Sequence, residues 1–475
     1  MKKSFLFLLL VITSLGYATS LSADVRLPSI LGSHMVLQQK SEVNLWGWCS
    51  PGEKIRIKAS WDTVTYSTEG TNGARWNLKV KTPAAGGPFT LTISAHNTLV
   101  LEDVMIGEVW VCSGQSNMEF SAGWGLLPPF NEVPGEDNKN VRLFYVDKAT
   151  ANFPQDNCNG NWTPCSTEEM KKFSAIGYYF AKKLSNDLHV PVGVINSNWG
   201  GTPAEVWTPR ELVEKDPVLN GTSGKYSLTQ WWPVDPGLTY NAMISPLTQF
   251  AIAGAIWYQG ETNTVTWDSY QALLTTMVKA WRTSWHSDFP FYYVQIAPFA
   301  GYGQENVCAL QREVQTKCMG SIPNSGMVVV SDLVNDVNDI HPKDKADVAA
   351  RLVNYALAET YGVQGLAYKS PLYKGMTVEK GKIRISFENV PNGLVSKGGD
   401  PKEFMLAGED RNFVPAMAKV EGSSVLVWSK AVKNPVAVRF GFSNASIPNL
   451  FSKEGLPVNL FRTDDWPVKT DTVKK

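Results

Sequence analysis

The sequence predicts a central α/β domain flanked by N-terminal and C-terminal β-sandwich domains, and three observations predict it. Residues 24–104 carry short runs of alternating apolar and polar residues ("EVNLWGW", "KIRIKAS", "ARWNLKVK"), punctuated by Pro-Gly, Asn-Gly and Gly-Gly. That texture is antiparallel β. Residues 105–362 instead alternate continuous apolar runs with helical periodicity, the pattern of a parallel sheet covered by helices on both faces. From 363 to 475 the alternation returns ("KIRISFENV", "SSVLVWSK", "PVAVRFGFS"). A chain of 475 residues also exceeds the roughly 250–300 residues that one hydrophobic core organises.

In chain order, residues 1–23 read as a signal peptide. Lys2 and Lys3 precede an apolar run from Phe5 to about Tyr17, then small residues follow. The run is shorter than the ~20 residues of a spanning helix, and cleavage is expected after Ala23 or Ser20. The mature protein is therefore expected in the periplasm or secreted, without a membrane span. Six cysteines in an exported chain permit disulfides. Cys158 with Cys165, and Cys308 with Cys318, are possible pairs, while Cys112 within an apolar run reads as a buried thiol. No Cys/His spacing suggests a metal site. Forty-four basic and forty-four acidic residues cancel, which removes the basic surface expected of a nucleic-acid binder.

Within the α/β domain the apolar runs are "VWVC" (109–112), "VGVI" (192–195), "AGAIWY" (253–258), "FYYVQI" (291–296) and "MVVV" (327–330). Helical spacing joins Phe173, Ile176, Phe180 and Leu184; Tyr270, Leu273, Met277 and Trp281; and Val348, Leu352 and Ala356. Open parallel sheets bind ligands beyond the carboxyl ends of their strands. The residues just after each run are therefore informative: Ser113-Gly114-Gln115-Ser116-Asn117; "NSNWGGTPAEVW" with Gly200 and Gly201; Gln259-Gly260-Glu261-Thr262-Asn263; and "SDLVNDVNDIHP" with Asp332, Asp336, Asp339 and His341.

These clusters contain the parts of a serine esterase. Ser116 on a sharp strand-to-helix turn is a candidate nucleophile, and a serine hydroxyl needs a neighbouring general base. Of five histidines, His341 alone sits in a polar loop after a parallel strand, with Asp339 two residues away and Pro342 expected to open the next helix. A carboxylate beside it would orient the ring. The backbone N–H of Ser116, a glycine N–H from Gly200 or Gly201, and the Gln259 amide are candidate oxyanion donors. Each residue also has a plainer reading. Ser116 or Asp339 suits a helix cap, Gly200-Gly201 a simple turn, and Gln259 and Glu261 loop bridges. Joint placement at successive strand ends is what favours chemistry.

The blocks "GQSNM" (114–118), "GGTPAEVW" (200–207), "WYQGETN" (257–263) and "DIHPKDK" (339–345) resemble those of the sialate O-acetylesterase family of SGNH/GDSL hydrolases. The segment "NLFSKEGLPVNLFRTD" (449–464) resembles a recurring part of the same proteins. The resemblance implies a flavodoxin-like α/β/α catalytic domain and removal of acetyl groups from sialic acid hydroxyls through an acyl-serine, without metal or other cofactor. Carried over, Ser116 is the nucleophile, His341 the base and Gly201 an oxyanion donor. Two departures stand out. Related hydrolases place Asp three residues before His, where this chain has Asn338, so the orienting carboxylate falls to Asp339, with Asp336 and Asp332 as alternatives. The oxyanion-hole Asn of Gly-x-Asn-Asp is replaced by Gln259-Gly260-Glu261-Thr262, which gives the role to Gln259.

Acetylated xylan or another plant glycan is the rival substrate, and a non-catalytic glycan-binding protein is the rival class. A glycosidase would need two carboxylates about 5–10 Å apart across a cleft, and no such pair is evident. Trp124, Trp199, Trp207, Trp231 and Trp232 lie near the blocks, and more than half of them are expected in the core. The β domains are expected to brace the catalytic domain.

Overall fold

The computed structural model describes residues 24–124 and 138–471. The expected signal peptide lies outside the described residues. At the centre is a sheet whose order runs Ser325–Val328, Phe291–Val294, Gly254–Tyr258, Thr98–Gly114, Val192–Asn198, Val141–Val146, Gly160–Pro164. All neighbours are parallel except the last pair. Without the Val141–Val146 and Gly160–Pro164 hairpin, the five parallel strands stand in the order second, first, third, fourth, fifth, which is the flavodoxin-like arrangement.

Alternate residues of each strand feed opposite layers, as the pleat requires. Val109, Val111, Ala255 and Trp257 join a core with Leu273, Met277 and Trp281 of the helix Tyr270–Trp285. Trp110, Cys112, Ile256 and Tyr258 join another with Ile176, Phe180 and Leu184 of Ala175–Leu188, and with Val348 and Leu352 of Lys345–Tyr355. The result is a three-layer α/β/α domain.

The strand Thr98–Gly114 belongs to two sheets. Its first half pairs antiparallel with Gly86–Ser94, and Met105–Gly107 pairs parallel with Val36–Gln38 of the N-terminal β region. Its second half is the first strand of the catalytic sheet, so one strand runs unbroken across residues 104 and 105. The C-terminal region forms two four-stranded antiparallel sheets around a separate core that includes Ile385, Val427, Leu406 and Phe440.

The possible disulfides are not formed: all six cysteines are buried, and none is joined to another. Cys308 and Cys318 lie on one helix, Val307–Ser321, where ten residues of rise separate them by about 15 Å. Such a gap cannot be bridged. Cys158 and Cys165 flank the strand Gly160–Pro164, whose extended backbone holds them apart.

Candidate active site

The carboxyl ends of three adjacent strands build the site. Gly114 ends the central strand in register with Asn198 on one side and Tyr258 on the other, so the loops after these strands meet over its tip. Gly114 has φ +140°, and a Cβ there would run into the Tyr258 carbonyl oxygen. Only glycine lets the chain turn this sharply against its neighbour. Gln115 then stitches the turn down: its N–H donates to Tyr258 O at 3.0 Å, and its Oε1 accepts from the N–H groups of Gly260 (3.2 Å) and Thr262 (3.4 Å). Ser116 follows as the first residue of the short helix Ser116–Glu119.

The loop carrying His341 starts from the far edge of the sheet and reaches back over two strands. His341 Nε2 lies 2.9 Å from Ser116 Oγ. Burial lowers the histidine's proton affinity below its ordinary value, the Lys345 charge lowers it further, and Asp339 opposes both. These effects together favour the neutral imidazole, the form able to accept a proton. Phe120 and Trp124 pack beside the ring at centroid distances of 5.9 and 6.1 Å.

The three candidate carboxylates take different partners. Asp339 Oδ1 accepts from the His341 backbone N–H at 2.9 Å, not from its ring, whose Nε2 contacts Ser116. Asp332 is held bidentately by Arg351, both contacts at 2.7 Å. Asp336 folds onto Asn338 within its own loop. Pro342 does not open a helix; the helix begins at Lys345, capped by Asp344 through the Asp347 N–H.

Gly201 lines the same cleft as Ser116 and His341. It has φ +79°, and a Cβ there would collide with the Trp232 indole. Among the described residues neither the Ser116 nor the Gly201 backbone N–H is taken by another group. Glu119 fixes this loop: its Oε2 accepts from the Gly200 N–H at 2.5 Å, while its Oε1 pairs with Lys148 Nζ at 2.5 Å.

Gln259 is not brought to the site. It is fully buried, and its amide N–H groups go to Thr202 O (3.2 Å) and Asn263 Oδ1 (2.6 Å). Its Oε1 accepts from the Tyr270 hydroxyl. With both hydrogens taken it bridges loops, the plainer of its two sequence readings.

A buried chain of polar side chains joins three of the blocks, and Glu261 has in it the bridging place of its plainer sequence reading. Asn117, next to Ser116, donates to Glu261 Oε1 (2.5 Å) and to Ile340 O (3.1 Å), the carbonyl just before His341. Its Oδ1 accepts from Lys345 Nζ at 2.6 Å. Lys345 is buried, with its proton affinity pushed down to about 7, and its ammonium lies 4.9 Å over the Phe120 ring. Burial raises Glu261 in turn. The available signal is the polar residue in each block that the candidate nucleophile, base and donors do not use.

The cleft over Ser116 has a volume of about 480 Å³ and includes Trp124, Trp199, Trp231 and Trp232. Trp124 and Trp231 are well exposed, and only Trp207 of the five tryptophans is in the core. The expectation that most would be core residues is thus reversed, because the loops after the strands turn their indoles outward.

Comparison with known proteins fits this arrangement. The family model described as "Carbohydrate esterase, sialic acid-specific acetylesterase" matches residues 106–358. Sialate O-acetylesterase of Rattus norvegicus is 29% identical over 439 residues, covering 78% of this chain and 79% of that protein. The Homo sapiens enzyme is 28% identical over 404 residues, covering 76% of each. Among solved structures, a carbohydrate acetylesterase from Xanthomonas citri superposes with a TM-score of 0.84 at 34% identity, covering 93% of this chain and all of that one. With its catalytic sheet, its loop blocks and most of its length matched, this chain belongs to the sialic acid-specific acetylesterase family of carbohydrate esterases.

Proposed function

We propose that the protein is an exported serine esterase that removes O-acetyl groups from sialic acids through an acetyl-serine intermediate. The observation that carries this reading is the 2.9 Å contact between Ser116 Oγ and His341 Nε2 on a cleft shared with Gly201. Ser116 Oγ attacks the acetyl carbonyl carbon while His341 Nε2 takes its proton. The oxyanion is met by the N–H groups of Ser116 and Gly201. The tetrahedral adduct collapses, the sugar oxygen leaves with the proton from His341, and the acetyl group stays on Ser116. Water then attacks the acetyl-serine, gives a proton to His341, and releases acetate as Ser116 recovers its hydrogen.

In this reading Asp339 acts by fixing the His341 backbone and by its charge, and Gln259 has no part as a donor. Residues 1–23, with their lysines and apolar run, are the export signal. Acetylated xylan or another neutral glycan is the second reading, which the tryptophan-lined cleft accommodates equally, since indole faces stack on any pyranose.

Acetate release from O-acetylated sialic acid and from acetylated xylan, by wild type and Ser116→Ala, tests the proposal. The variant is expected to lose at least about 10⁴-fold in kcat. Activity surviving in Ser116→Ala would remove the nucleophile and the intermediate together.

A further inference from the structure

The indole wall suits acidic and neutral sugars alike, so a charged group has to distinguish them. Among the described residues that line the cleft, Lys148 is the sole lysine or arginine. We propose that Lys148 is the specificity-determining residue of this site, binding the carboxylate of an acidic O-acetylated sugar. The inference rests on the acetylesterase reading and deepens it.

Three features support it. The Lys148 side chain is 34% exposed although it is paired with Glu119. An ammonium has three N–H donors, and Glu119 engages one, which leaves donors for a ligand. Glu119 cannot swing away to follow the lysine, because its second oxygen is tied to the Gly200 N–H. The cation is therefore held at a fixed place beside the loop that carries Gly201.

Lys148 also sits 5.7 Å over the Trp199 ring, and the Trp199 indole N–H donates to Trp231 O at 3.1 Å. Cation and exposed indole are thus parts of one wall. A sugar ring stacked on that wall presents an acidic substituent along the surface where the ammonium lies. The cleft's carboxylates do not oppose this. Glu119 is compensated by Lys148 and by the Gly200 N–H, and Glu261 is held behind by Asn117.

A plainer role is that Lys148 only steadies Glu119. The two roles separate in kinetics. Acetate release would be measured with the full chain on O-acetylated N-acetylneuraminic acid and on acetylated xylo-oligosaccharide, for wild type, Lys148→Met and Lys148→Arg. The acidic-over-neutral ratio of kcat/KM is expected to fall about ten-fold or more in Lys148→Met, chiefly through KM. Lys148→Arg is expected to restore most of it. In wild type, added NaCl is expected to raise KM for the acidic sugar more than for the neutral one, a readout that needs no variant.

An unchanged ratio, or a parallel loss of kcat on both sugars, would make Lys148 a support for the Gly200 loop and overturn the proposal. Turnover of the neutral sugar alone would overturn it too, while leaving the esterase mechanism in place. Acetate release from neither sugar would overturn the esterase reading itself.

Discussion

As the proposed base, His341 would combine two demands that usually conflict: staying unprotonated to accept the Ser116 proton, yet being stabilised once it becomes cationic. Burial and the nearby Lys345 charge serve the first, and Asp339 serves the second. The acid limb of kcat/KM is therefore expected below the ordinary histidine value of about 6.5, and Lys345→Met is expected to move it upward. A pH–rate profile of both proteins checks this, and an unmoved limb would dismiss the electrostatic role of Lys345. Stability gives an independent readout. Lys345 binds its proton more weakly in the folded state, at about 7 against an ordinary 10.5. Its burial cost is thus fully present below pH 7 and relieved as pH rises from about 7 to 10.5. The Tm of wild type minus that of Lys345→Met is expected to grow over that window. None of this is legible in the sequence, where a lysine at the start of an amphipathic helix reads as a solvated charge. Asn117 and Glu261 stand in the blocks that flag the site, but their partners come from strands far apart in the chain.

Each functional loop is held by an element that is itself anchored. Glu119, in the short helix that opens with Ser116, ties the Ser116 turn to Gly200. Glu119→Ala is expected to free the Gly200 loop and lower kcat about ten-fold or more, with a smaller effect on Tm. Steady-state kinetics beside calorimetry separates the two, and a fall in Tm with kcat retained would count against the role. The parallel strands are legible as apolar runs because both of their faces are covered. The helix Val307–Ser321 is not, for a physical reason: Gln311, Arg312 and Gln315 are on its buried face. Gln315 accepts from the Ile296 N–H and donates to Gln259 O, so polar side chains occupy positions where periodicity looks for apolar ones. The strand Val141–Val146 escapes the pattern similarly, since Arg142 within it is buried against Asp103. Gln259 misleads because a strand-end amide looks available until Thr202 and Asn263 are seen to take its hydrogens.

At the scale of the molecule the C-terminal β region grips the catalytic domain through polar contacts. Arg462 pairs bidentately with Glu313 at 2.9 and 3.1 Å, and buried Asn459 accepts from Gln295 and donates to Thr316. Asn444 accepts from the Cys308 N–H. These contacts fall on the helix Val307–Ser321 and on the segment leading into it, and through Gln315 they connect to the backbone of Gln259. Arg462→Ala is expected to cost about 1–3 kcal/mol by removing both hydrogen bonds to Glu313, which then keeps only its longer ion pair with Lys317 at 3.5 Å, seen as a lower Tm. Stability unchanged within about 0.5 kcal/mol would assign the pair no bracing role. The boundary expected between residues 104 and 105 falls inside a strand, because alternation and continuous apolarity describe how a strand is covered, not where a fold ends. Ser116 stands two residues beyond the tip of that shared strand, which acts as a cantilever clamped at its far end by Gly86–Ser94 and Val36–Gln38. The position of Ser116, the proposed nucleophile, is thus inherited from a region that does not line the cleft. An N-terminal β region exchanged for a foreign one would have to reproduce that clamp residue for residue before the esterase could keep its aim.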